Sequence, residues 1–487
     1  MTEVSAPAPT LVDKRQRLRA GAWIQAAANG ETWLVSRRRG VSLGTLAAAQ
    51  TAVLDRLGQP AGLAADDVAV LAMEAGGMSG LLAAEGLIGL LRQGGWLATV
   101  LSLDDRILLT LHPDGTPLPA ELGPVPDAPV LSRFALLRRD EDRLVLESAA
   151  TGAVAEIADP AVLHHLGVGD ASGGLSATAA EAVTGLLFAA GFLVRDATDE
   201  SAELATAQWS LPERWFHTRS RLGAHDAPYG GTFWAKGRFE PLPARHPAWA
   251  GAESVELARP DLDALRRSDV PFTQVLESRR SIRRHHAARP LTADQLGEFL
   301  YRTVRVRGTV HDGSEELVDR PVPAGGALHE VEIYPVVTSV SGLTPGIYHY
   351  DGHDHRLRTV APDSPLTRRL VLNATRTALL ETPPQVLLVL SARFGRIMWK
   401  YQTMAYALAL KHVGVLYQTM YTVATAMGLA PCALGGGDIE EFAAATGLDS
   451  WAESSVGEFL LGTVDPDAPA ELSMNPAAGG GGPVDAR

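Results

Sequence analysis

An internal repeat in the first two hundred residues constrains the fold of this chain more than any other feature. The segment LLRQGGWL at residues 90–97 aligns with LLFAAGFL at residues 186–193, and each closes an apolar helical pattern with glycine, an aromatic residue and leucine. Helices predicted at residues 43–57 and 177–190, and a hairpin predicted around residues 140–142, complete a similar order of elements. The repeat therefore predicts two small winged-helix-like modules.

Proline-rich and polar stretches set the boundaries of these modules and of the regions after them. A chain of 487 residues is too long for one hydrophobic core. We expect a disordered tail at residues 1–14, a first module with its linker at 15–125, a second module at 126–197, an extended aromatic-rich connecting arm at 198–252, a larger domain at 253–467 and a flexible tail at 468–487.

The larger domain mixes helical and strand patterns. Helices are predicted at residues 261–267, 292–302 and 366–380, strands at 330–338 and 385–394, and a hairpin at 346–360 with an Asp-Gly turn. A long apolar helix is predicted from Met398 to Met427, where Gly428 ends it.

Composition excludes several classes of function. The net charge of −13 argues against a general nucleic-acid surface, because phosphate affinity needs clustered Lys and Arg. The single cysteine, Cys432, excludes an internal disulfide and a multi-cysteine metal site. Residues 398–430 form the only span that approaches membrane length, and Lys400, Lys411 and His412 within it are costly in lipid. With no apolar secretion segment at the start, we expect a cytoplasmic protein without a nucleic-acid or membrane partner.

The run ESRRSIRRHH carries the first candidate chemistry. In an extended segment Arg279, Ser281 and Arg283 would point to one side, with Arg280 and Arg284 on the other. Guanidinium groups and a hydroxyl suit a phosphate and the hydroxyls next to it. Taken alone, the run fits a solvated basic patch equally well.

Two glycine turns are the other candidates. Residues 323–326 (PAGG) precede a predicted strand, and residues 435–437 (GGG) follow one. Glycines let backbone N–H groups approach a flat ring closely. Ordinary turns would show the same pattern.

Six motifs in order relate residues 209–464 to a known family. They are FHTRSRLGAHD with GGTF, SRRSIRRH, PAGGALHEVEIYP, GIYHYD, WKY, and GLAPCALGGGD with SSVGEFLLG. This region resembles the SagB/McbC type of FMN-dependent dehydrogenase, which has a nitroreductase-like fold and oxidises thiazolines and oxazolines of ribosomal peptide natural products to thiazoles and oxazoles. The two modules ahead of it look like the peptide-clamp domains that some members carry.

The resemblance implies an α+β fold, with an antiparallel-type sheet and packed helices, and a homodimer with FMN as cofactor. It implies that Lys400 and Tyr401 are the catalytic pair, and that the turn at 323–326 meets the flavin ring, with Ala324 in place of the usual serine. The cofactor-binding residues that it implies are Arg279, Arg280, Ser281, Arg283, Pro323, Ala324, Gly325, Gly326, Gly435, Gly436 and Gly437.

Lys400 is one of only four lysines in the chain. If Trp399, Tyr401 and the following apolar helix bury it, desolvation would favour its neutral amine, which could accept a proton during azoline oxidation. From sequence alone, a lysine that extends from a helix start into solvent is the other possibility.

The implied partners are an azoline-containing precursor peptide and an ATP-dependent cyclodehydratase. Two alternatives stay open. The chain could be a flavin oxidoreductase that uses NAD(P)H to reduce nitro groups, quinones or a peptide alkene, or a peptide-binding scaffold subunit of the cyclodehydratase complex.

Overall fold

A computed structural model describes residues 12–37, 39–113, 117–118, 123–167, 174–223, 225–313 and 315–467. The chain divides into two compact units, Met1–Pro228 and Tyr229–Arg487. Most of the first predicted tail and all of the second, residues 1–11 and 468–487, lie outside the described residues. Residues 12–14, which were expected to belong to the first tail, form part of a strand.

The first unit contains the following elements. Its strands are β1 (Val12–Leu18), β2 (Trp23–Ala26), β3 (Thr32–Val35), β4 (Gly40–Gly44), β5 (Leu63–Ala64), β6 (Leu97–Leu103), β7 (Arg106–His112), β8 (Val130–Leu131), β9 (Ala135–Asp140), β10 (Arg143–Ser148), β11 (Val154–Ile157) and β12 (Leu193–Val194). Its helices are α1 (Ala48–Leu57), α2 (Ala65–Gln93), α3 (Pro160–His165), α4 (Ala177–Ala189), α5 (Leu204–Ala207) and α6 (Leu211–Arg219).

One antiparallel sheet runs through both predicted modules. Its order is β5-β1-β6-β7-β11-β10-β9, and β7 joins β11 in a register that pairs Leu109 with Ile157. This pairing covers the strand edges that two separate modules would leave open. Strands from both sides of residue 126 therefore belong to one sheet, while β2, β3 and β4 form a separate three-stranded sheet and β8 pairs with β12.

The repeated segments adopt the same local structure. After α2 the chain turns at Gly95, with φ +64°, and buries Trp96, and after α4 it turns at Gly191, with φ +77°, and buries Phe192. A left-handed glycine after the last helical turn satisfies orphan carbonyl groups and ends a helix. The GG-aromatic and AG-aromatic patterns therefore mark two equivalent helix ends.

Helix α2 was not anticipated as a long apolar segment. Among the described residues it is long and apolar enough to cross a membrane by length and composition, with a mean hydropathy of 1.3. The prediction that residues 398–430 are the only such span is therefore wrong. A core helix passes the same test, and α2 buries a stripe that includes Leu87 and Leu91 in a core with Leu54 and Leu57 of α1. The absence of a membrane partner stays a prediction.

The connecting arm is not extended throughout. Its first part forms α5 and α6, and α6 begins with a capping box in which Ser210 and Glu213 each bind the other's backbone N–H. The S-x-x-E signal was present in the sequence, but the surrounding aromatic residues obscured the helical pattern. The boundary between the two units falls inside the arm, after Pro228.

The second unit contains the strands β13 (Gly230–Gly231), β14 (Ser254–Glu256), β15 (Leu291–Thr292), β16 (Gly308–Asp312), β17 (Glu315–Asp319), β18 (Val331–Val337), β19 (Val340–Ser341), β20 (Gly346–Asp351), β21 (Arg356–Pro362), β22 (Val386–Arg393), β23 (Tyr401–Gln402), β24 (Leu429–Leu434) and β25 (Glu453–Thr463). Its helices are α7 (Leu262–Ser268), α8 (Phe272–Ser278), α9 (Ala293–Val304), α10 (Pro365–Thr377), α11 (Phe394–Met398), α12 (Ala405–Ala426) and α13 (Ile439–Thr446).

A seven-stranded antiparallel sheet with helices on both faces forms the centre of this unit. Its order is β14-β21-β20-β18-β22-β25-β24. Because side chains alternate along a strand, Leu388 and Leu390 of β22 join a core with α9 and α12, while Leu387 and Val389 join a core with α10 and α13. The predicted α+β fold with an antiparallel sheet and packed helices is confirmed.

The long helix predicted from Met398 to Met427 is interrupted, and this prediction is wrong. Helix α11 ends at Met398, β23 follows, and α12 begins at Ala405. Thr403 has a left-handed φ of +68°, which an α-helix cannot contain. Strand β23 takes its main-chain partners from β13, so the interruption is imposed by a segment about 170 residues earlier in the chain.

Candidate functional site

The predicted catalytic pair lies in the interruption between α11 and α12. Strand β13 pairs Gly231 with Tyr401, and the backbone N–H of Phe233 donates to the carbonyl of Lys400 at 3.0 Å. The Thr232 hydroxyl donates to Gln402 Oε1 at 2.7 Å. Residues 230–233 of the arm therefore fix the backbone of the pair.

Lys400 has a charged partner rather than an apolar helical surrounding. Its Nζ lies 3.0 Å from Glu315 Oε2, and both side chains are largely buried. The same Nζ lies 4.8 Å from the centre of the Phe233 ring. A neighbouring carboxylate and an aromatic face both stabilise an ammonium group. The surroundings of Lys400 therefore include a carboxylate and an aromatic ring, and the neutral amine stays a prediction.

The glycine turn at residues 323–326 faces this pair. Gly326 has φ +63°, and a Cβ placed there would lie 2.8 Å from Tyr401 Oη and 3.6 Å from Lys400 Nζ. A Cβ on Gly325 would lie 2.6 Å from a methyl carbon of Leu408. Only glycine permits this approach. We call Lys400, Tyr401, Gly325 and Gly326 the reactive end of the site.

A buried pair of side chains holds the turn from behind. The N–H of Gly325 donates to His412 Nε2 at 2.7 Å, and His412 Nδ1 lies 2.7 Å from Glu330 Oε1. Because Nε2 accepts, the proton of a neutral ring must lie on Nδ1 and be donated to Glu330. Glu330 is completely buried. The pair therefore fixes both the ring tautomer and the position of the turn.

Arg396 connects three segments around the reactive end. Its guanidinium donates to the carbonyls of Leu242 at 2.8 Å, Glu316 at 2.7 Å and Leu328 at 2.7 Å. Burial lowers the pKa of Arg396 to about 10. The arm, the β16–β17 hairpin that carries Glu315, and the segment after the glycine turn are thus held by one cation.

The predicted arginine run is extended and lies against α12 and β24. The Arg279 guanidinium carbon is 5.2 Å from the centre of the Tyr421 ring, and Ser281 Oγ is 2.8 Å from Tyr421 Oη. The N–H of Ile282 donates to the carbonyl of Pro431 at 2.8 Å. Among the described residues neither Arg279 nor Arg280 makes an ion pair, and Arg283 is exposed. We call Arg279, Ser281 and Tyr421 the phosphate end.

The glycine loop at residues 435–437 lies beside the phosphate end. It follows β24, whose Ala433 N–H donates to Tyr421 Oη at 2.8 Å. A Cβ on Gly437 would lie 2.9 Å from Glu458 Oε1. Burial, with the charge of Asp438 adding to it, raises the pKa of Glu458 to about 7.

The predicted site residues form two groups within one chain. Leu408 and His412 contact the reactive end, and Tyr421 contacts the phosphate end. Thirteen residues of α12 separate Leu408 from Tyr421, which is about 20 Å along a helix at 1.5 Å per residue. The structure therefore does not bring all predicted cofactor contacts together in one copy.

Both groups fit parts of a flavin mononucleotide. At the phosphate end, a guanidinium without an ionic partner and a hydroxyl suit a phosphate group. At the reactive end, Tyr401 and Leu408 approach the Gly325–Gly326 turn so closely that only glycine fits, and the turn carries main-chain groups without side chains. A bound FMN would supply an acceptor for a hydride equivalent at the reactive end.

Four residues of the site were missed by sequence reasoning. Glu315 and Glu330 are single carboxylates in strand patterns, and nothing in the sequence distinguishes them from surface residues. His412 was considered only as a cost in lipid. Phe233 lies in the quoted GGTF motif, so the signal for it was present.

Comparisons with known proteins match two segments of the chain. Residues 276–463 match the Nitroreductase family, and residues 129–226 match the family described as cyanobactin oxidase ThcOx. A candidate nitroreductase of Methanocaldococcus jannaschii is 27% identical over 183 residues, which make up 38% of this chain and 85% of the relative.

Solved structures with a similar fold include a candidate nitroreductase from Ralstonia eutropha, with 20% identity and a TM-score of 0.35, covering 47% of this chain and 95% of that one. The E. coli microcin synthetase McbBCD complex with truncated pro-MccB17 is 21% identical with a TM-score of 0.32, covering 48% of this chain and 91% of that one.

The two matched segments confirm the predicted relationship to the nitroreductase-like azoline dehydrogenases. Residues 276–463 are similar to the Nitroreductase family, whose members bind FMN, and residues 129–226, which precede them, are similar to the cyanobactin oxidase family.

Proposed function

We propose that this protein oxidises thiazoline or oxazoline rings of a ribosomally made precursor peptide to thiazoles or oxazoles. The observation that carries the proposal is the placement of Lys400 and Tyr401 against the Gly325–Gly326 turn. A lysine–carboxylate pair, a tyrosine hydroxyl and a turn of glycine residues occur together there. The cyanobactin oxidase segment at residues 129–226 supports a modified peptide as the substrate.

The reaction removes one proton and one hydride equivalent from the azoline ring. FMN supplies the hydride acceptor when bound. The proton goes to the Lys400–Glu315 pair. The neutral amine of Lys400 takes the proton from the ring carbon, and Glu315 Oε2, 3.0 Å from Nζ, holds the ammonium that forms. Tyr401 Oη orients the ring next to Gly326.

Mass spectrometry tests the proposal directly. The FMN-loaded protein should remove two hydrogens from each azoline of a synthetic peptide. In the scaffold alternative, Lys400→Ala would leave azole formation unchanged in the complex. Azolines that persist with this variant, in a folded protein that retains FMN, would exclude that alternative.

The same fold could support the reduction of small molecules by NAD(P)H. One observation favours this second candidate: the Nitroreductase match covers the flavin domain, whereas the cyanobactin oxidase match lies entirely before it. Rapid bleaching of the bound flavin by NADH or NADPH, with no azoline oxidation, would select it.

The first unit is proposed to hold the precursor peptide or the cyclodehydratase. Strand β9 is the last strand of its seven-stranded sheet, and a peptide can add to such an edge through main-chain hydrogen bonds. Tethering would raise the local concentration of successive azolines. Removal of Met1–Pro228 should then impair oxidation of a full precursor more than oxidation of a short azoline peptide. Equal losses on both substrates would contradict this role.

A homodimer is proposed because it would bring the reactive end of one copy next to the phosphate end of another. The face of α12 between the reactive and phosphate ends is exposed at Tyr406, Leu410, Gly414 and Val415. In a two-fold contact across this face, the reactive end of one copy would meet the phosphate end of its partner. Leu410→Arg should then give a monomer that loses FMN. A fully active monomer in solution scattering would contradict the dimer.

A further inference from the structure

We propose that Phe233, with Trp234 and Phe239 beside it, forms the surface on which the planar heterocycle of the substrate is held next to Lys400. This inference rests on the proposed function and names the part of the substrate that the site recognises. It assigns a binding role to the arm, which was predicted as a connecting segment.

The backbone holds Phe233 in an unusual conformation. Its φ is +54°, in the left-handed region, which is a rare conformation for a bulky residue. Such a conformation is strained and persists only where surrounding contacts impose it. Here the contacts are the Phe233 N–H bond to the Lys400 carbonyl and the β13–β23 pairing. The position of this ring is therefore coupled to the position of Lys400.

The Phe233 ring has two packed contacts and an open part. Lys400 Nζ lies 4.8 Å from its centre, and the Trp399 ring meets it edge to face at 6.3 Å. Yet Phe233 remains 39% exposed. A ring that served only to cover Lys400 would have no need of this open surface.

Two further exposed rings extend this surface. Trp234 is 38% exposed and Phe239 is 56% exposed, with their ring centres 6.0 Å apart. Both are tied to the reactive end, because Trp234 Nε1 donates to the carbonyl of Met398 and Trp399 Nε1 donates to the carbonyl of Phe239. The Arg238 guanidinium carbon lies 5.6 Å from each ring centre.

A flat heterocycle is the ligand chemistry that suits this surface. Aromatic rings pack offset or edge to face, and this geometry stabilises their contact beyond the effect of the buried area alone. The azoline must also come within reach of Lys400, whose ammonium already contacts Phe233. Contact with the Phe233 ring would also favour the flat azole product. The surface should therefore bind both substrate and product more tightly than an unmodified Ser or Cys peptide.

Steady-state kinetics and binding test the proposal together. Phe233→Ala should raise KM for an azoline peptide about fivefold, the equivalent of roughly 1 kcal/mol of lost ring contact, while kcat changes less and FMN affinity is unchanged. Phe233→Tyr should restore KM. Trp451→Ala is the matched control, because Trp451 is an exposed ring, at 90%, on another part of the second unit.

The outcomes separate this inference from the proposed function. If the wild-type protein oxidises no azoline, the proposed function fails; direct binding of an azole peptide over its unmodified counterpart, lost in Phe233→Ala, would still support the surface. An unchanged KM and unchanged azole binding in a folded Phe233→Ala protein would overturn it. Dissociation of a dimer by this variant, with azole binding intact in the resulting monomer, would also overturn it and assign the rings to an interface between copies.

Discussion

The reactive end and the phosphate end, which contact opposite ends of α12, differ in whether their polar groups already have partners within the protein. At the reactive end Lys400 already has a carboxylate at 3.0 Å, and Gly325 already donates to a histidine. At the phosphate end the Arg279 guanidinium lies 5.2 Å from the centre of the Tyr421 ring and makes no ion pair with any residue that the structure describes. The groups that take part in chemistry are preorganised, whereas the group that binds an anion lacks an ionic partner.

This difference has a physical reason. A site that stabilises a reacting molecule gains from dipoles and charges fixed in advance, because no reorganisation is then needed during the reaction. A phosphate brings its own charge, so an arginine that binds it needs no internal carboxylate, which would compete with the ligand. Substitutions at the reactive end should therefore lower the rate of oxidation, whereas substitutions at the phosphate end should lower the affinity for FMN.

Lys400→Ala is expected to have the largest effect. Loss of a positioned proton-transfer group lowers rates about 10²- to 10⁴-fold. FMN content should stay near the wild-type value, because Lys400 belongs to the reactive end. Lys400→Arg is the matched variant, since it keeps the charge beside Glu315 but cannot accept a proton at neutral pH. Single-turnover flavin reduction by an azoline peptide measures the effect, and a fast Lys400→Arg enzyme would contradict the assigned proton transfer.

Arg279→Ala should lower FMN affinity and leave the rate of the FMN-loaded protein nearly unchanged. Charge-assisted hydrogen bonds contribute about 1.5–3 kcal/mol, so FMN affinity should fall roughly 10- to 100-fold. With FMN in excess, kcat should recover. Arg284→Ala is the control, because Arg284 pairs with Glu381 at 3.4 Å. Titration of the apoprotein with FMN measures the affinity of each variant. Equal losses of FMN affinity in Arg279→Ala and Arg284→Ala would contradict a specific role for Arg279 in binding the phosphate.

Several elements were predictable because their signals are local. The hairpin of β20 and β21 follows from alternating side chains around Asp351 and Gly352, and α9 begins at the expected cap, Thr292. In each case neighbouring residues in the chain supply both the pattern and the partners.

The interruption before α12 could not be predicted in this way. Residues 399–406 read WKYQTMAY, which suits a helix, and the partners of Tyr401 lie in residues 230–231. Glu315 was missed for the same reason, because it becomes functional only through its contact with Lys400. Sequence motifs thus indicated candidate residues at the reactive end, but long-range contacts determine which partners those residues have.

Replacing one glycine with alanine at each end adds the same methyl group and so allows a direct comparison of the two ends. Gly326→Ala puts a Cβ 2.8 Å from Tyr401 Oη at φ +63°, while Gly436→Ala meets only Thr377 Cγ2 at 3.9 Å. A left-handed alanine costs about 1 kcal/mol or more, and Tyr401 must also move. We expect roughly a tenfold loss of kcat for Gly326→Ala and almost none for Gly436→Ala. A harmless Gly326→Ala, measured in the same peptide assay, would show that the turn tolerates a side chain.

The smallest effect is expected from Glu458, next to the glycine loop. Its pKa is raised to about 7, chiefly by burial, so the folded protein holds this proton more tightly than the unfolded chain does. The free energy of unfolding should therefore fall as the pH rises from about 4.5 to about 7.

Glu458→Gln keeps the shape of the protonated carboxyl and cannot ionise. It should match the wild-type protein at pH 5 and exceed it at pH 8 by on the order of 1–2 kcal/mol. Thermal unfolding of the apoprotein at the two pH values measures this difference. Because an ionised carboxylate near the phosphate end would also repel the anion, FMN affinity of the wild-type protein should weaken above pH 7, and that of Glu458→Gln should not. Parallel pH profiles for the two proteins would place Glu458 outside the phosphate end.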